Sequence, residues 1–206
     1  MHSCSTIAPL FMIVDPNHSG NAGRCRHAIT ITAVQHLEIN DRTKQVKKPQ
    51  RIYLVESWAE SCNYHEFVRK IYEFADKYKL NRFWLETVGG QRYLKFYLDE
   101  RNRVEKRRLS VLPLKIDTSA NAKRKRIDAL NPYFAEGQVF IQRNKHQDFV
   151  IEYGQYPNGK TLDILDTLSY GPQVWDGRIT TKNEVDQFMQ RMQAANPWEQ
   201  ANYAGY

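Results

Sequence analysis

A chain of 206 residues, 41% of them hydrophobic and 12% aromatic, can bury a core as one generous domain or one domain with an arm. No apolar run is long enough to span a bilayer, and residues 7–14 are too short an apolar stretch for a secretory signal, so a soluble protein is expected. The net charge of +7 suits an anionic partner, while the three cysteines, Cys4, Cys25 and Cys62, lack metal-ligand spacing and favour free thiols in a reducing compartment.

Residues 1–8 read as a loose leader. The run Leu10-Phe11-Met12-Ile13-Val14 ends at Asp15, the pattern of a buried central strand with a carboxylate at its exit. Residues 16–23 are turn-rich, and 28–34 alternate as a second strand. A polar, basic connection leads to a third strand at 51–56, and three strands in succession predict an antiparallel meander. The spacing then changes. Tyr64, Phe67, Val68, Ile71, Tyr72, Phe74, Ala75 and Tyr78 recur at three and four, which predicts an amphipathic helix with Asn63 as its N-cap. Arg82-Phe83-Trp84-Leu85 predicts a short strand ending at Glu86. Two glycines precede a helix carrying Tyr93, Leu94, Phe96, Tyr97 and Leu98.

Further strands are expected at 109–116 and 139–141, with one basic helix at 123–134 and a small helix around 149–153. The alternation of strand and helix after residue 60 implies parallel pairing through crossovers. Between Arg101 and Arg126 ten basic residues stand against two acidic ones, which leaves the rest of the chain near neutral. Such a band is the footprint of a polyanion, or else a solvated face. Lys123, Arg124, Lys125 and Arg126 cannot share one helix face, so some should reach phosphates and others water. Arg143, Lys145 and His146 form a loop able to border the same groove. Residues 177–206 read as a tail with a short helix, mobile or docked on another subunit.

One stretch concentrates the chemistry. Leu162, Leu165 and Leu168 recur at helical spacing between a Pro157-Asn158-Gly159 turn and the stop at Gly171-Pro172. Asp163 and Asp166 stand three apart on the same helix. Either one caps the helix and the other faces water, or the two carboxylates share a cation. Asp15 and Glu86, each directly after an apolar strand, are turn formers or members of the same cluster. Four carboxylates would suit Mg²⁺ or Mn²⁺, and two such ions would clamp the attacking and leaving oxygens of a phosphodiester.

The order Val-Asp15, then Trp-Leu-Glu86-Thr, then Leu-Asp163-Ile-Leu-Asp166-Thr-Leu-Ser-Tyr resembles the RNase H-like nuclease of tailed-phage terminase large subunits. Three further stretches carry the resemblance: Glu86-Thr-Val-Gly-Gly-Gln, the basic helix from Lys123 followed by Pro132-Tyr-Phe134, and the lead-in over 149–160. It spans roughly residues 8–176. The resemblance implies an α/β fold with a mixed central sheet, an antiparallel meander followed by parallel strands, flanked by helices. It implies residues 9–176 as the nuclease domain, cutting concatemeric viral DNA during genome packaging with two Mg²⁺ or Mn²⁺ ions. Asp15, Glu86 and Asp166 take the family's metal-binding positions. Asp163 falls where relatives carry an Asp or a His near the metals.

Expected partners are double-stranded DNA, contacted through Lys123, Arg124, Arg126, Arg143 and His18, a terminase ATPase domain, the small terminase subunit and the portal. The isolated chain is expected to be a monomer of the host cytoplasm. His18 lies in a loop, and contact with the scissile phosphate or plain exposure to solvent both fit it. Two features depart from the family. Arg24, Cys25, Arg26 and His27 stand where another acid is common, and no Gly-x-x-x-x-Gly-Lys-Ser/Thr loop is present, so this chain is not the ATP-driven motor. The alternatives are a Holliday-junction resolvase of the same fold and a DNA-binding module with structural acids.

Overall fold

The computed structural model describes residues 6–16, 26–36, 49–86, 91–117, 119–175 and 199–200. β1 (Thr6–Asp15), β2 (His27–His36) and β3 (Pro49–Glu60) form the antiparallel meander. β4 (Arg82–Leu85) pairs parallel to β1, β5 (Ser110–Pro113) parallel to β4, and β6 (Val139–Ile141) parallel to β3. The sheet order among the described residues is β5-β4-β1-β2-β3-β6-β7, with the short β7 (Glu199–Gln200) antiparallel to β6. β1, β3, β4, β5 and β6 therefore all point the same way, and their C-terminal ends face one side of the molecule.

The two faces of the sheet carry separate helical layers. Met12 and Val14 of β1 join Ile29 and Ile31 under α1 (Tyr64–Lys77) and α2 (Gln91–Val104). Phe11 and Ile13 point the other way, beneath α3 (Ala122–Asp128), α4 (Asn131–Ala135), α5 (Gln147–Gln155), α6 (Asp163–Ser169) and α7 (Gly171–Trp175). Both faces of β1 are thus covered. This is why its sequence is a continuous apolar run rather than an alternation.

α1 follows its sequence pattern closely. Phe67, Val68, Ile71, Tyr72, Phe74 and Ala75 are buried, and Asn63 with Glu66 forms a reciprocal capping box. α2 splits its aromatic cluster: Leu94 and Leu98 enter the core, while Phe96 and Tyr97 are exposed.

Several boundaries differ from the sequence expectations. β1 begins at Thr6, inside the expected leader, and β3 runs on to Glu60. The expected basic helix over 123–134 is two helices. Pro132, at the start of α4, has no N–H for the preceding turn, so α3 cannot continue through it. Gly171 opens α7 instead of ending the helical layer. A Cβ there would lie 2.0 Å from Trp175 Cζ2, so glycine lets the indole fold back. Trp175 Nε1 donates to Thr32 Oγ1 at 3.0 Å, which ties this layer to β2. Of the tail, Glu199–Gln200 extend the sheet beside β6, and the helix expected near 183–192 lies outside the described residues.

Candidate active site

The register of two parallel strands builds the first half of the site. Val14 of β1 lies opposite Leu85 of β4, so Asp15 and Glu86 leave the sheet side by side on the face that carries α3 and α6. The backbone keeps them there: Glu86 N–H donates to Val14 O at 3.2 Å, and Leu114 N–H to Leu85 O at 2.9 Å. Their carboxyl groups are in hydrogen-bonding contact. Burial, and then the neighbouring Glu86 charge, push the Asp15 carboxyl well above the ordinary carboxylate range.

The second half comes from α6, which lies across β1, β2 and β3 with Ile164, Leu165 and Leu168 buried beneath it. The residue before the helix is Leu162, without a side-chain cap, and Asp166 is only 5% exposed. The reading in which one Asp caps the helix and the other faces water is therefore corrected. Asp166 Oδ1 accepts from Arg126 Nη2 at 2.5 Å, and its Oδ2 lies 3.2 Å from Lys123 Nζ. Arg126 also donates from Nε to Ser169 Oγ at 3.3 Å and lies over the Tyr170 ring, 4.2 Å from its centre. Asp15 and Asp166 are close enough for their charges to act on one another.

Two residues of this region, Glu152 and Arg26, were not among the site residues expected from the sequence. Glu152 of α5, 2% exposed, accepts from Leu165 N–H at 2.9 Å and so supplies the missing cap of α6. Arg26, just before β2, reaches Glu152 Oε1 at 2.5 Å and Asp163 Oδ2 at 3.3 Å. Lys123 Nζ stands 3.9 Å from the other Asp163 oxygen. An alternating chain of charge thus runs Glu152, Arg26, Asp163, Lys123, Asp166, Arg126. Glu152 left one signal: it lies three residues after buried Phe149, on the apolar side of its helix. Arg26 left none.

The expected DNA-contacting residues divide. Arg124 projects outward from α3, its side chain 67% exposed and 3.9 Å from Asp128. Lys123 and Arg126 turn inward to Asp166. Arg143 is exposed after β6, but β6 stops level with Leu54, which lies across β2 from Phe11, well short of Asp15. Its neighbours are engaged within the fold: Lys145 Nζ donates to Val55 O at 2.5 Å, and His146 is buried against Ser57 Oγ. Burial lowers the His146 pKa to about 4, so it is neutral near physiological pH. His18 lies outside the described residues. Much of the basic band is paired: Arg101 with Glu105, Arg103 with Glu100, and Arg107 with Asp76. Its net charge overstates the cationic surface it offers.

The donor chemistry fits a hard divalent cation. Asp15 and Glu86 are two crowded carboxyls, and among the described residues no ion pair to either is found, while Asp166 stands near them. Among the described residues, however, no three acidic, His or Cys side chains are grouped closely enough to hold an ion as they stand. Both oxygens of Asp166 are already taken by Arg126 and Lys123. No helix among the described residues is long and apolar enough to cross a membrane.

A mixed sheet of this order, an antiparallel meander extended by parallel strands and flanked by helices, is the RNase H-like α/β architecture. Among solved structures the chain is similar to the large terminase nuclease from thermophilic phage G20c with bound zinc, at TM-score 0.52 and 13% identity, over 81% of each chain. It is also similar to the P22 large terminase nuclease domain, at TM-score 0.53 and 14% identity, over 84% of this chain and 83% of that one. The fold expected from the sequence is thus the one found. The fowlpox virus Holliday junction resolvase aligns over 80% of this chain at TM-score 0.45 and 14% identity. No family model and no curated protein matches the sequence.

Proposed function

We propose that the protein is a divalent-metal-dependent DNA endonuclease, acting as a terminase nuclease on concatemeric viral DNA during packaging. The observation that carries this reading is the crowding of Asp15 and Glu86 at the ends of two parallel strands, with Asp166 held over them by α6. Burying like charges together is costly unless a cation compensates them, and a hard cation suits carboxylate oxygens. In this reading Asp15, Glu86 and Asp166 hold Mg²⁺ or Mn²⁺, which would supply a Lewis acid for the phosphodiester and an activated water. Arg126 fixes Asp166 from behind, and Glu152 with Arg26 holds the first turn of α6 in place. Asp163, committed to Arg26 and Lys123, acts as a positioning residue in this arrangement. Arg124, and Arg143 further off, contact the phosphate backbone. The ATPase domain, small terminase subunit and portal are the partners this role requires.

A second reading is favoured by one specific observation. Asp166 is fully engaged by two cations from the protein, which also suits a DNA-binding module with structural acids. A plasmid-nicking assay separates the two. The nuclease reading expects nicking in Mg²⁺ or Mn²⁺ that chelator abolishes. DNA binding in chelator with no cleavage under either metal would establish the binding module instead.

A further inference from the structure

The two cations on Asp166 are not equivalent. Arg126 is tied at three points: to Asp166 Oδ1, to Ser169 Oγ and to the face of Tyr170, with its side chain only 15% exposed. A planar guanidinium held in this way has no route out that does not strip it of partners. Lys123 meets Asp166 Oδ2 at 3.2 Å and Asp163 at 3.9 Å, and its side chain is 45% exposed. A single ammonium on a flexible, partly exposed stem can swing from its carboxylate toward water far more readily than the enclosed guanidinium can. It is also the cation on the Asp15 side, near enough for the two charges to interact, whereas Arg126 senses Glu86.

We infer that Lys123 is an exchangeable internal counter-ion, holding Asp166 Oδ2 while the acids carry no cation and giving that oxygen up when a divalent ion binds beside Asp15 and Glu86. The inference rests on the metal-site reading above. Asp166 Oδ2 is held by the protein's own ammonium, so that oxygen has to be released before it can serve as a third ligand. Once released, Lys123 stays on α3 at the edge of the site, where an arriving phosphate offers it a new anion. Binding of metal and binding of DNA then favour each other through one side chain.

The test is a Mn²⁺ titration by calorimetry, without DNA, of wild type, Lys123→Met and Lys125→Met. Lys125 is an exposed neighbour on the same helix and serves as a control for overall charge. Lys123→Met should bind Mn²⁺ about tenfold more tightly, since a competitor has been removed, and Lys125→Met much less so. In thermal melts Lys123→Met should gain more stability from Mn²⁺ than wild type does. If wild type binds Mn²⁺ but Lys123→Met binds equally or more weakly, the exchange is overturned while the metal site stands. Equal tightening in both variants also overturns it, as a general charge effect. If wild type gives no binding, the metal reading itself fails and the exchange fails with it.

Discussion

Asp15 and Glu86 meet because β1 and β4 run parallel with Val14 opposite Leu85, so a single register fixes the spacing of two acids that are far apart in sequence. A slip of one residue would turn either acid to the α1 face, among Phe67 and Ile71.

That pairing predicts a pH-dependent weakness in metal-free protein. The Asp15 carboxyl is raised, so the folded state keeps a proton that the unfolded chain gives up near pH ~3.9. Its favourable contribution is complete below that value and is lost as pH rises through the higher folded value. Asp15→Asn should therefore melt about 2–4 °C above wild type at neutral pH in chelator. The gap should close in acid. Melting curves across pH check this, and a gap that widens in acid would reverse the sign.

Arg126 is expected to behave as a structural partner of Asp166. Arg126→Met leaves a nearly buried carboxylate with one partner fewer and should cost about 3 kcal/mol. The double variant Arg126→Met with Asp166→Asn should recover part of that loss, with a coupling of about 2 kcal/mol. Urea denaturation of the four proteins measures it. Additive losses would mean that the two side chains do not depend on each other.

DNA binding is better probed at Arg124, whose side chain points away from the acids. Arg124→Glu should weaken binding to all sequences alike and lower the salt slope by about one phosphate contact. Fluorescence anisotropy at several salt concentrations gives the slope. A slope equal to that of wild type would place the DNA away from the outer face of α3.

Much of this arrangement was legible in the sequence, and for definable reasons. The continuous run before Asp15 marked a strand covered on both faces, and the three-and-four spacing of α1 marked one covered on a single face. The acids at strand ends and on α6 followed from the same patterns. Three features were hidden. The inward turn of Lys123 and Arg126 depends on where α3 docks, and periodicity in a helix of four consecutive basic residues does not report that. Arg26 acts across the fold on α5 and α6. The basic band looked like a polyanion surface because its acidic partners, such as Asp76 for Arg107, come from another element.

Glu152 carries two duties that substitutions can separate. Gln at 152 keeps an oxygen for Leu165 N–H but removes the charge that faces Arg26, whereas Ala removes both. Glu152→Gln should cost about 1 kcal/mol and Glu152→Ala about 3 kcal/mol. Denaturant titration ranks them. Equal losses would mean that the cap contributes nothing beyond the ion pair.

The central claim is that Asp15, Glu86 and Asp166 bind catalytic metal as one unit. The most direct test is single-turnover cleavage of supercoiled DNA in Mn²⁺ by wild type, Asp15→Asn, Glu86→Gln and Asp166→Asn, each checked for folding by circular dichroism. Each single change is predicted to slow cleavage by at least about a thousandfold, with the Asp15→Asn, Asp166→Asn double variant little worse than either single one. Cleavage by Asp15→Asn within a few-fold of wild type would contradict the account.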